Sequence, residues 1–466
     1  MRIDKITVMP FTFQAITGFE SNLGLNEHGY AKISGVVTEE QKSKALRLMA
    51  DDVWGEVCFQ DEEGGNSTLF CGLAVNMQIQ DENNSYLMTV ELRTGTFLMD
   101  LKEHIRVFQS GKITYGKIQN AILPSYKMSK CLMIEKDCPT QEMLVQYKET
   151  DWEFAKRLAS RKNTVLIANE KSAGVKYSFG IEEGNGEELS SYSNVEIIKN
   201  IGDFKKKKQN GMDVIEEDDE LSYGVDSRDV FFLGDCVCFE GKKYVVTNIY
   251  RTWVKKEVWN HYILKTIKGT RQLEYRNKKI IGAILQGKVT GVYQDTVQID
   301  VDKDENGNQG GKRWFAYSTV FSSPDGTGWY CMPEKEDCVQ LHFPSEVEAM
   351  AYVSSSVNIN SSDPMARSVP EHKSFKNKQG KEILFTPEKL VITNNNGMSI
   401  TINDNVGIIL ESDKDIIMKA RESIGLISEE QDLQMLAGTQ LLLQQNETCL
   451  ELADRIVMRG GRVNIQ

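Results

Sequence analysis

The sequence predicts a mainly β protein with two β-barrels, a third and smaller barrel, and a C-terminal β-helix in which three identical chains intertwine. Three observations lead to this fold class. Short alternating apolar runs divided by Asn, Gly and Asp clusters fill residues 1–275, further short strands follow in 278–357, and a repeat occupies 381–466. Because side chains two residues apart lie on the same face of a strand, these patterns indicate β-structure along most of the chain.

Two helical patterns interrupt the strands of residues 1–275. The first, near 39–52, places its apolar residues on one broad face. The second, near 150–162, begins with Thr150 and has Glu153 three residues later. That spacing is typical of a capping box, in which each of the two side chains bonds to the backbone of the other residue. We therefore predict two β-barrels into which these helices are inserted.

Residues 278–357 predict five short strands, which fit a small closed barrel of the oligonucleotide/oligosaccharide-binding (OB) type. The loop at 302–311 contains only polar residues and glycine. A barrel that binds single-stranded nucleic acid carries basic and aromatic residues together on its open face, whereas the loops here are acidic. The following residues, 358–380, are expected to be a linker, since a domain usually needs about 50 residues or more.

The repeat in 381–466 consists of apolar pairs or triplets whose members are two residues apart. Successive groups are about eight residues apart, which indicates one short strand and one tight corner per repeat. Polar residues and glycine, such as those at 394–397 and 403–405, occupy the corners. The positions expected to pack in the core between chains are Ile400, Ile402, Ile408, Leu410, Ile416, Met418, Ile424, Leu426, Leu433, Met435, Leu441, Leu443, Ile456 and Met458.

A single chain of such short strands cannot bury its apolar face, and its strand edges would stay unpaired. Three chains wound around one axis solve both problems, because each strand then stacks on strands of the other two chains. About eleven strands stacked at roughly 4.8 Å give a needle on the order of 50 Å long. Two alternatives were weighed: a single-chain parallel β-helix, which needs a longer repeat, and a β-sandwich, which has less regular spacing.

Charge and composition argue against several classes of function. The net charge of −12 disfavours sequence-independent binding of nucleic acid, which needs a basic surface. The lysine run 205–208 stands near the acidic run 216–220 and is expected to lie in a solvated loop. The five histidines are far from any cysteine pair, and the nine cysteines include no CxxC motif, so neither a zinc site nor another cofactor is expected.

The N-terminal residues lack the continuous apolar core of a signal peptide. We therefore expect the chain to be made and assembled in the cytoplasm.

Two motifs carry a resemblance to a known family. The stretch YKETDWEFAKRLA at 147–159 is similar to a helix motif of the VgrG family of type VI secretion spikes and of the hub and spike proteins of contractile phage tails. The stretches at 328–333 and 336–343 resemble the barrel signature of the same family. The helix-motif residues are Asp151, Trp152, Phe154, Arg157 and Leu158, and the barrel residues are Trp329, Pro333, Asp337, Val339 and Phe343.

The chain departs from the family pattern at two places. Lys335 and Glu336 precede Asp337 where the family prefers Gly-Asp, and residues 344–348 replace the usual Gly-Asp-Pro loop. The resemblance therefore identifies a divergent member, such as part of a phage-tail-like particle.

The resemblance implies a structural hub and a membrane-puncturing spike whose work is mechanical, with no catalysis. The implied partners are two further copies of the chain, the inner tube protein and baseplate components above, and the target membrane transiently. No nucleic acid is expected among them. The protein would be delivered outward when the machine fires, or would become extracellular when a particle is released.

Two other functions were considered: a cell-wall hydrolase associated with a phage tail, and a trimeric receptor-binding fibre. The interval 358–380 is too short to hold a lysozyme-like domain, and fibres usually end in a globular tip. No histidine follows His372, so a histidine-bound metal at the tip is not expected from this chain. The resemblance instead implies a separate PAAR-like tip protein or effector, in contact with Arg459, Arg462, Ile465 and Gln466.

Overall fold

The computed structural model describes residues 6–49, 52–60, 66–82, 85–254, 257–356, 367–452 and 456–459, together with residues 358, 363 and 365. The chain divides into two compact units, Met1–Ile359 and Asn360–Gln466. Within these described ranges, no helix is long and apolar enough to cross a membrane.

A large sheet dominates the first unit. Its 12 strands run in the order β1-β4-β5-β6-β3-β2-β16-β17-β14-β13, with β15 paired to β16 and β12 paired to β15. The strands are β1 Ile6–Met9, β2 Ala15–Gly24, β3 Tyr30–Val37, β4 Trp54–Gln60, β5 Asn66–Glu82, β6 Ser85–Arg93, β12 Glu187–Glu188, β13 Tyr192–Lys199, β14 Leu221–Ser227, β15 Cys236–Phe239, β16 Lys242–Val254 and β17 Glu257–Lys265. Because β2 pairs with β16, the strands predicted for two barrels belong to one continuous sheet.

Arg251, on β16, connects several segments of the large sheet and its loops through buried hydrogen bonds. The side chain is fully buried, and its guanidinium donates hydrogen bonds to the carbonyl oxygens of Leu69 (2.9 Å) and Phe231 (2.8 Å) and to Asn260 Oδ1 (2.6 Å). An unpaired buried charge is costly, so these acceptors are what allows a cation at this position.

Helix α1, Glu39–Leu48, lies where the first helical pattern predicts a helix. Its N-cap, Thr38, accepts a hydrogen bond from the backbone N–H of Gln41 at 3.2 Å, and the Gln41 side chain accepts one from the N–H of Thr38 at 2.9 Å. This reciprocal capping satisfies two donors that the first helical turn would otherwise leave free.

A helical block separates the two halves of the large sheet in sequence. It contains α2 (Tyr115–Ile122), α3 (Asp151–Arg161) and five short strands. The strands are β7 Glu103–Phe108, β8 Lys130–Met133, β9 Leu144–Thr150, β10 Leu166–Ala168 and β11 Lys176–Phe179. Trp152, Phe154 and Leu158 of α3 are buried in the apolar core of this block. Thr150 and Glu153 form the predicted capping box at its start.

A small five-stranded barrel follows, in the order β20-β19-β18-β21-β22. Its strands are β18 Ile284–Tyr293, β19 Thr296–Val301, β20 Phe315–Ala316, β21 Cys338–His342 and β22 Tyr352–Ser354. A parallel bridge between Tyr317 and Val353 joins the two ends of this sheet. The resulting closure around one apolar core supports the predicted OB type.

The polar loop at 302–311 is docked onto strand β7. The Asp304 carboxylate accepts hydrogen bonds from the backbone N–H groups of Val107 (3.0 Å), Asn306 (3.0 Å) and Asn308 (3.1 Å). Further along, Ser110 N–H donates to the Gly310 carbonyl oxygen at 3.0 Å. The loop therefore fastens the small barrel to the helical block, a role that its polar composition alone did not reveal.

The lysine run 205–208 lies on helix α4, Ile201–Gln209, and the expectation of a loop is wrong. The side chain of Asn200 accepts a hydrogen bond from the N–H of Asp203 at 3.1 Å and so caps the helix. The acidic run stabilises it, because Lys207 pairs with the buried Glu220 at 2.6 Å. The Asn200 cap and the charge of Glu220 thus stabilise a helix in a segment whose polar sequence predicted a solvated loop.

The described residues of the second unit form two small antiparallel sheets. The first contains β23 Lys373–Lys376, β24 Glu382–Phe385, β25 Lys389–Thr393, β26 Met398–Asn403 and β27 Gly407–Ser412. The second contains β28 Leu441–Gln445, β29 Thr448–Leu452 and β30 Ile456–Arg459. The described residues between β27 and β28 form no strand. The repeat groups at Ile416, Ile424 and Leu433 fall in that interval.

The close approach of Gly310 to β7 generates a stability prediction. A Cβ at position 310 would overlap the carbonyl oxygen of Val107, which belongs to the backbone and cannot rotate away. We expect Gly310→Ala to destabilise the first unit by about 1–3 kcal/mol, as overpacked sites do. Urea unfolding followed by tryptophan fluorescence measures the change.

The matched control is Gly18→Ala, because a Cβ there meets no atom within 4 Å. Equal unfolding midpoints for the two variants would contradict a close-packed contact between the loop and β7.

Candidate assembly interface

Apolar side chains of the repeat are exposed at most of the predicted core positions that the structure describes. The predicted core positions with side-chain exposure between 43% (Ile400) and 72% (Ile408) are Ile400, Ile402, Ile408, Leu410, Ile416, Met418, Ile424, Leu426, Leu433, Met435 and Leu443. Leu441 is half-buried, and the side chains of Ile456 and Met458 lie outside the described residues. Exposed apolar surface of this extent marks an interaction site in soluble proteins.

The backbone of the same region is also unpaired. Residues 416–439 make no backbone–backbone hydrogen bond within the described part of the chain. Backbone N–H and C=O groups seek partners, and extended segments find them in neighbouring strands. The segment thus offers both an apolar stripe and open hydrogen-bonding groups to another chain.

Where the repeat does form strands, its register agrees with the predicted alternation. Ile400 faces Leu410 and Ile402 faces Ile408 across the β26–β27 pair. Strand β25 continues the same stripe, with Leu390 opposite Ile402. The apolar pairs therefore share one face of this sheet, as strand periodicity requires. The three-chain winding itself remains a prediction.

The residues predicted to contact a tip partner lie at the edge of the described structure. Arg459 closes strand β30, but its side chain is not described, and Arg462, Ile465 and Gln466 fall outside the described residues.

A second site joins the helical block to the small barrel through Arg157, on α3. Its Nε and Nη2 donate to the two carboxylate oxygens of Glu149, each at 2.8 Å, and Nη1 donates to Glu348 at 2.8 Å. Nη2 also donates to the Val145 carbonyl oxygen at 2.8 Å. The guanidinium and the Glu348 side chain are each only 1% exposed, so the pairs are shielded from water and salt.

Burial and charge act in opposite directions at this site. Burial raises the pKa of the Glu149 carboxyl, although the neighbouring Arg157 lowers it. Burial alone would lower the pKa of Arg157, but the Glu149 and Glu348 carboxylates outweigh it and raise that pKa. The cation therefore stays charged, and its fork-shaped donors fix both carboxylates in place.

Asp151 begins α3 and anchors a second buried network. Its carboxylate accepts hydrogen bonds from Arg106 Nη1, from Gln146 Nε2 at 2.8 Å and from the Tyr126 hydroxyl at 2.7 Å. Burial and the Asp151 carboxylate together raise the pKa of Tyr126, so this hydroxyl remains a donor. His104 lies beside the network and contacts Glu305 of the docked loop at 2.6 Å.

The other motif residues of α3 reach the neighbouring regions. Trp152 Nε1 donates to the Asn26 carbonyl oxygen, in the turn between β2 and β3, at 3.2 Å. Phe154 stacks on Phe108 with ring centroids 5.9 Å apart. The helix motif therefore connects the large sheet, the helical block and the small barrel. Sequence reasoning found the motif but missed its partners, of which Glu348 lies 191 residues away.

The residues of the barrel signature separate into two groups. Pro333, Val339 and Phe343 are buried, whereas Trp329 is 55% exposed on a hairpin outside the core. Asp337 forms the turn before β21, where its carboxylate accepts a hydrogen bond from Glu334 N–H at 2.8 Å. The signature thus builds one corner of the barrel.

Across the described ranges, no cluster of three or more His, Cys, Asp or Glu side chains has a geometry suited to a metal ion.

Glu170 is a buried carboxyl beneath the large sheet. Its Oε1 accepts a hydrogen bond from Leu233 N–H at 3.0 Å, and Arg251 Nη1 lies 3.9 Å from Oε2. Among the described residues, Oε2 has no hydrogen-bond partner. Burial raises the pKa of this carboxyl to about 7.

Comparison with known proteins supports the resemblance. Residues 41–203 match the sequence model of a family described as the phage tail baseplate hub (GPD). No curated protein matches the chain by sequence.

Among solved structures, the E. coli c3393 protein is described as a type VI secretion component similar to the T4 bacteriophage tail proteins gp27 and gp5. It matches with a TM-score of 0.54 at 12% identity, over 76% of this chain and 100% of that one. A chain of the Francisella PdpA–VgrG complex matches with a TM-score of 0.53 at 10% identity, over 85% of this chain and 83% of that one. These likenesses show a shared fold, and the predicted mainly β fold class is confirmed.

Removal of the buried cation gives a sharp prediction. We expect Arg157→Met to destabilise the first unit by about 3–5 kcal/mol, because Glu149 and Glu348 would be left buried without their partner. Urea unfolding of the full chain at pH 7.5 measures the loss.

Arg161→Met is the matched control on the same helix. Arg161 pairs with Glu142 and Glu274, whose side chains are 40% and 35% exposed. Such partly exposed pairs contribute about 1 kcal/mol or less. If Arg157→Met lowers the free energy of unfolding no more than the control does, the buried ion pairs do not stabilise the junction as predicted.

Glu170 predicts a pH dependence of stability. Its pKa is about 7 in the folded protein, against roughly 4.3 in an unfolded chain. The folded state therefore binds the extra proton between these values, and stability falls as the pH rises through this window. Glu170→Gln should remove this contribution, so its stability relative to wild type should increase from pH 5 to pH 7.5.

Chemical unfolding at three or four pH values checks this, with the exposed Glu183→Gln as control. A constant difference between Glu170→Gln and wild type across that range would show that Glu170 does not titrate there.

Proposed function

We propose that this chain, a VgrG-like hub-spike protein with a structural role in a type VI secretion machine or a phage-tail baseplate, acts as a homotrimer whose repeat segment is the puncturing needle. One observation carries the proposal. Residues 416–439 combine an exposed apolar stripe with a backbone that has no strand partner in its own described chain. Two further copies of the chain carry the same segment and can therefore supply the missing strand partners.

The energetics favour this arrangement strongly. Fully burying an isoleucine, leucine or methionine side chain stabilises by about 1.5–3 kcal/mol. Every position of the stripe occurs three times in a trimer, so the gain from each is tripled. Closed symmetry also removes the free strand edges that would otherwise recruit further chains. Stacking of about eleven strands at roughly 4.8 Å gives a needle on the order of 50 Å long.

The work of such a particle is mechanical, with no bond cleaved by this chain. The first unit caps the inner tube and contacts the baseplate, and the needle meets the target membrane only on firing. A tip protein or effector binds near Arg459 and the residues beyond it. The complex of PdpA with VgrG from Francisella supports assembly of such a chain with a second kind of protein. Nothing among the described residues favours the hydrolase or fibre alternatives.

The trimer is tested with a charge placed on the inward face of the stripe. We expect the full chain to run as a trimer in light scattering, and Ile416→Asp to dissociate it, because three carboxylates would meet in an apolar core. Sedimentation velocity at several protein concentrations measures the stoichiometry.

Ile417→Asp is the matched control, since in the strand proposed for the trimer the neighbouring side chain points to the opposite face. A wild-type chain that stays monomeric at micromolar concentration would overturn the proposal. Equal dissociation by both variants would overturn the assigned inward face.

A further inference from the structure

A basic cleft of about 710 Å³ opens on the first unit, between helix α4 and the segment that follows β17. Helix α4 lines one side, and residues 269–275 line the other. The floor includes Thr247 and Asn248 of β16. Its volume lies within the roughly 300–1,000 Å³ typical of ligand sites. The cleft belongs to none of the surfaces assigned to assembly above.

The anionic groups of the cleft already have partners. Asp203 accepts a hydrogen bond from Asn200 Nδ2 at 2.7 Å, within the cap of α4. Glu274 pairs with Arg161 at 3.2 Å and with Arg276 at 3.1 Å. Among the described residues, neither carboxylate forms an ion pair with Lys206, Lys265 or Arg271.

The cations are placed differently. Lys207 pairs with Glu220 at 2.6 Å and donates to the Gly269 carbonyl oxygen at 3.3 Å, so it serves the wall itself. Among the described residues, no carboxylate lies within ion-pair distance of Lys206, Lys265 or Arg271, which come from three separate elements. Three uncompensated cations thus converge on one cavity of a protein whose net charge is −12.

Contacts within the protein hold the walls of the cleft in place, so the cleft is formed before a ligand binds. Thr266 donates to Asp219 at 2.8 Å, and a Cβ at Gly269 would overlap the Asp219 carbonyl oxygen. Further along the same segment, Asn26 Nδ2 donates to Gln272 at 3.2 Å. Such preformed walls lower the ordering cost of binding.

We infer that this cleft binds an acidic segment of a partner polypeptide. Carboxylates of the segment would pair with Lys206, Lys265 and Arg271, since charge-assisted hydrogen bonds are the strong ones. Leu25, Leu273 and Tyr275 also line the cleft and offer apolar surface to the aliphatic parts of such side chains. A small hydrated anion would leave that apolar surface unused.

Fluorescence anisotropy with fluorescein-labelled hexaglutamate tests the inference on the full chain. We expect saturable binding that Lys206→Gln and Lys265→Gln each weaken by roughly tenfold, as the loss of a hydrogen bond between charged groups does. Lys205→Gln is the matched control, because Lys205 lies on the same helix but does not line the cleft. Unlabelled tripolyphosphate serves as a competitor of similar charge. Circular dichroism verifies that each variant remains folded.

Weakening by the two cleft variants only, with tripolyphosphate a poorer competitor than unlabelled hexaglutamate, supports an acidic polypeptide site. Absence of binding, or equal weakening by Lys205→Gln, overturns the site. Tighter binding of tripolyphosphate at the same residues overturns the polypeptide as ligand and assigns the cleft to phosphate. None of these outcomes depends on whether the chain is a trimer.

Discussion

Arg157 carries a positive charge into the interior of the first unit, where Glu149 and Glu348 hold it from two sides. Glu149 lies one residue before the end of β9, the strand before α3, and Glu348 belongs to the small barrel. A pair of this kind adds little net stability over a well-packed apolar contact, but breaking it is costly. The pair contributes more to geometry than to stability. The planar guanidinium can donate to both carboxylates in one arrangement only. The position of the small barrel on the helical block follows from that arrangement.

The neighbouring contacts reinforce the same junction from other directions. Asp151 gathers donors from β7, β9 and the segment after α2, while Asp304 caps its own loop and the backbone of Val107. The Asp151 carboxylate is buried and that of Asp304 is half-buried, and each has donors on different elements. A junction of directed hydrogen bonds fixes the relative orientation of its elements more strictly than apolar packing, which has no preferred direction.

Local signals in the sequence predicted much of this fold, and the failures have a common cause. The apolar face of residues 39–52 and the capping box of Thr150 and Glu153 are local signals, so both helices could be predicted. Glu348 lies 191 residues from Arg157, and no short-range pattern in the sequence predicts that pairing. Helix α4 was missed because its stability comes from an Asn cap and from Glu220, rather than from an apolar face. The joining of two predicted barrels into one sheet depends on the β2–β16 pairing, which is equally remote in sequence.

The unpaired backbone of residues 416–439 separates the two units in the way they fold. The strands of the large sheet in the first unit pair within one chain, so their pairing does not require a second copy. In the proposed trimer, the repeat completes its ladder with other chains, and its maturation is a reaction of higher molecular order. Dilute, newly synthesised chains would therefore expose an apolar strand template for longer than crowded ones. Synthesis from clustered ribosomes on one messenger would shorten that exposure, and dilution would lengthen it.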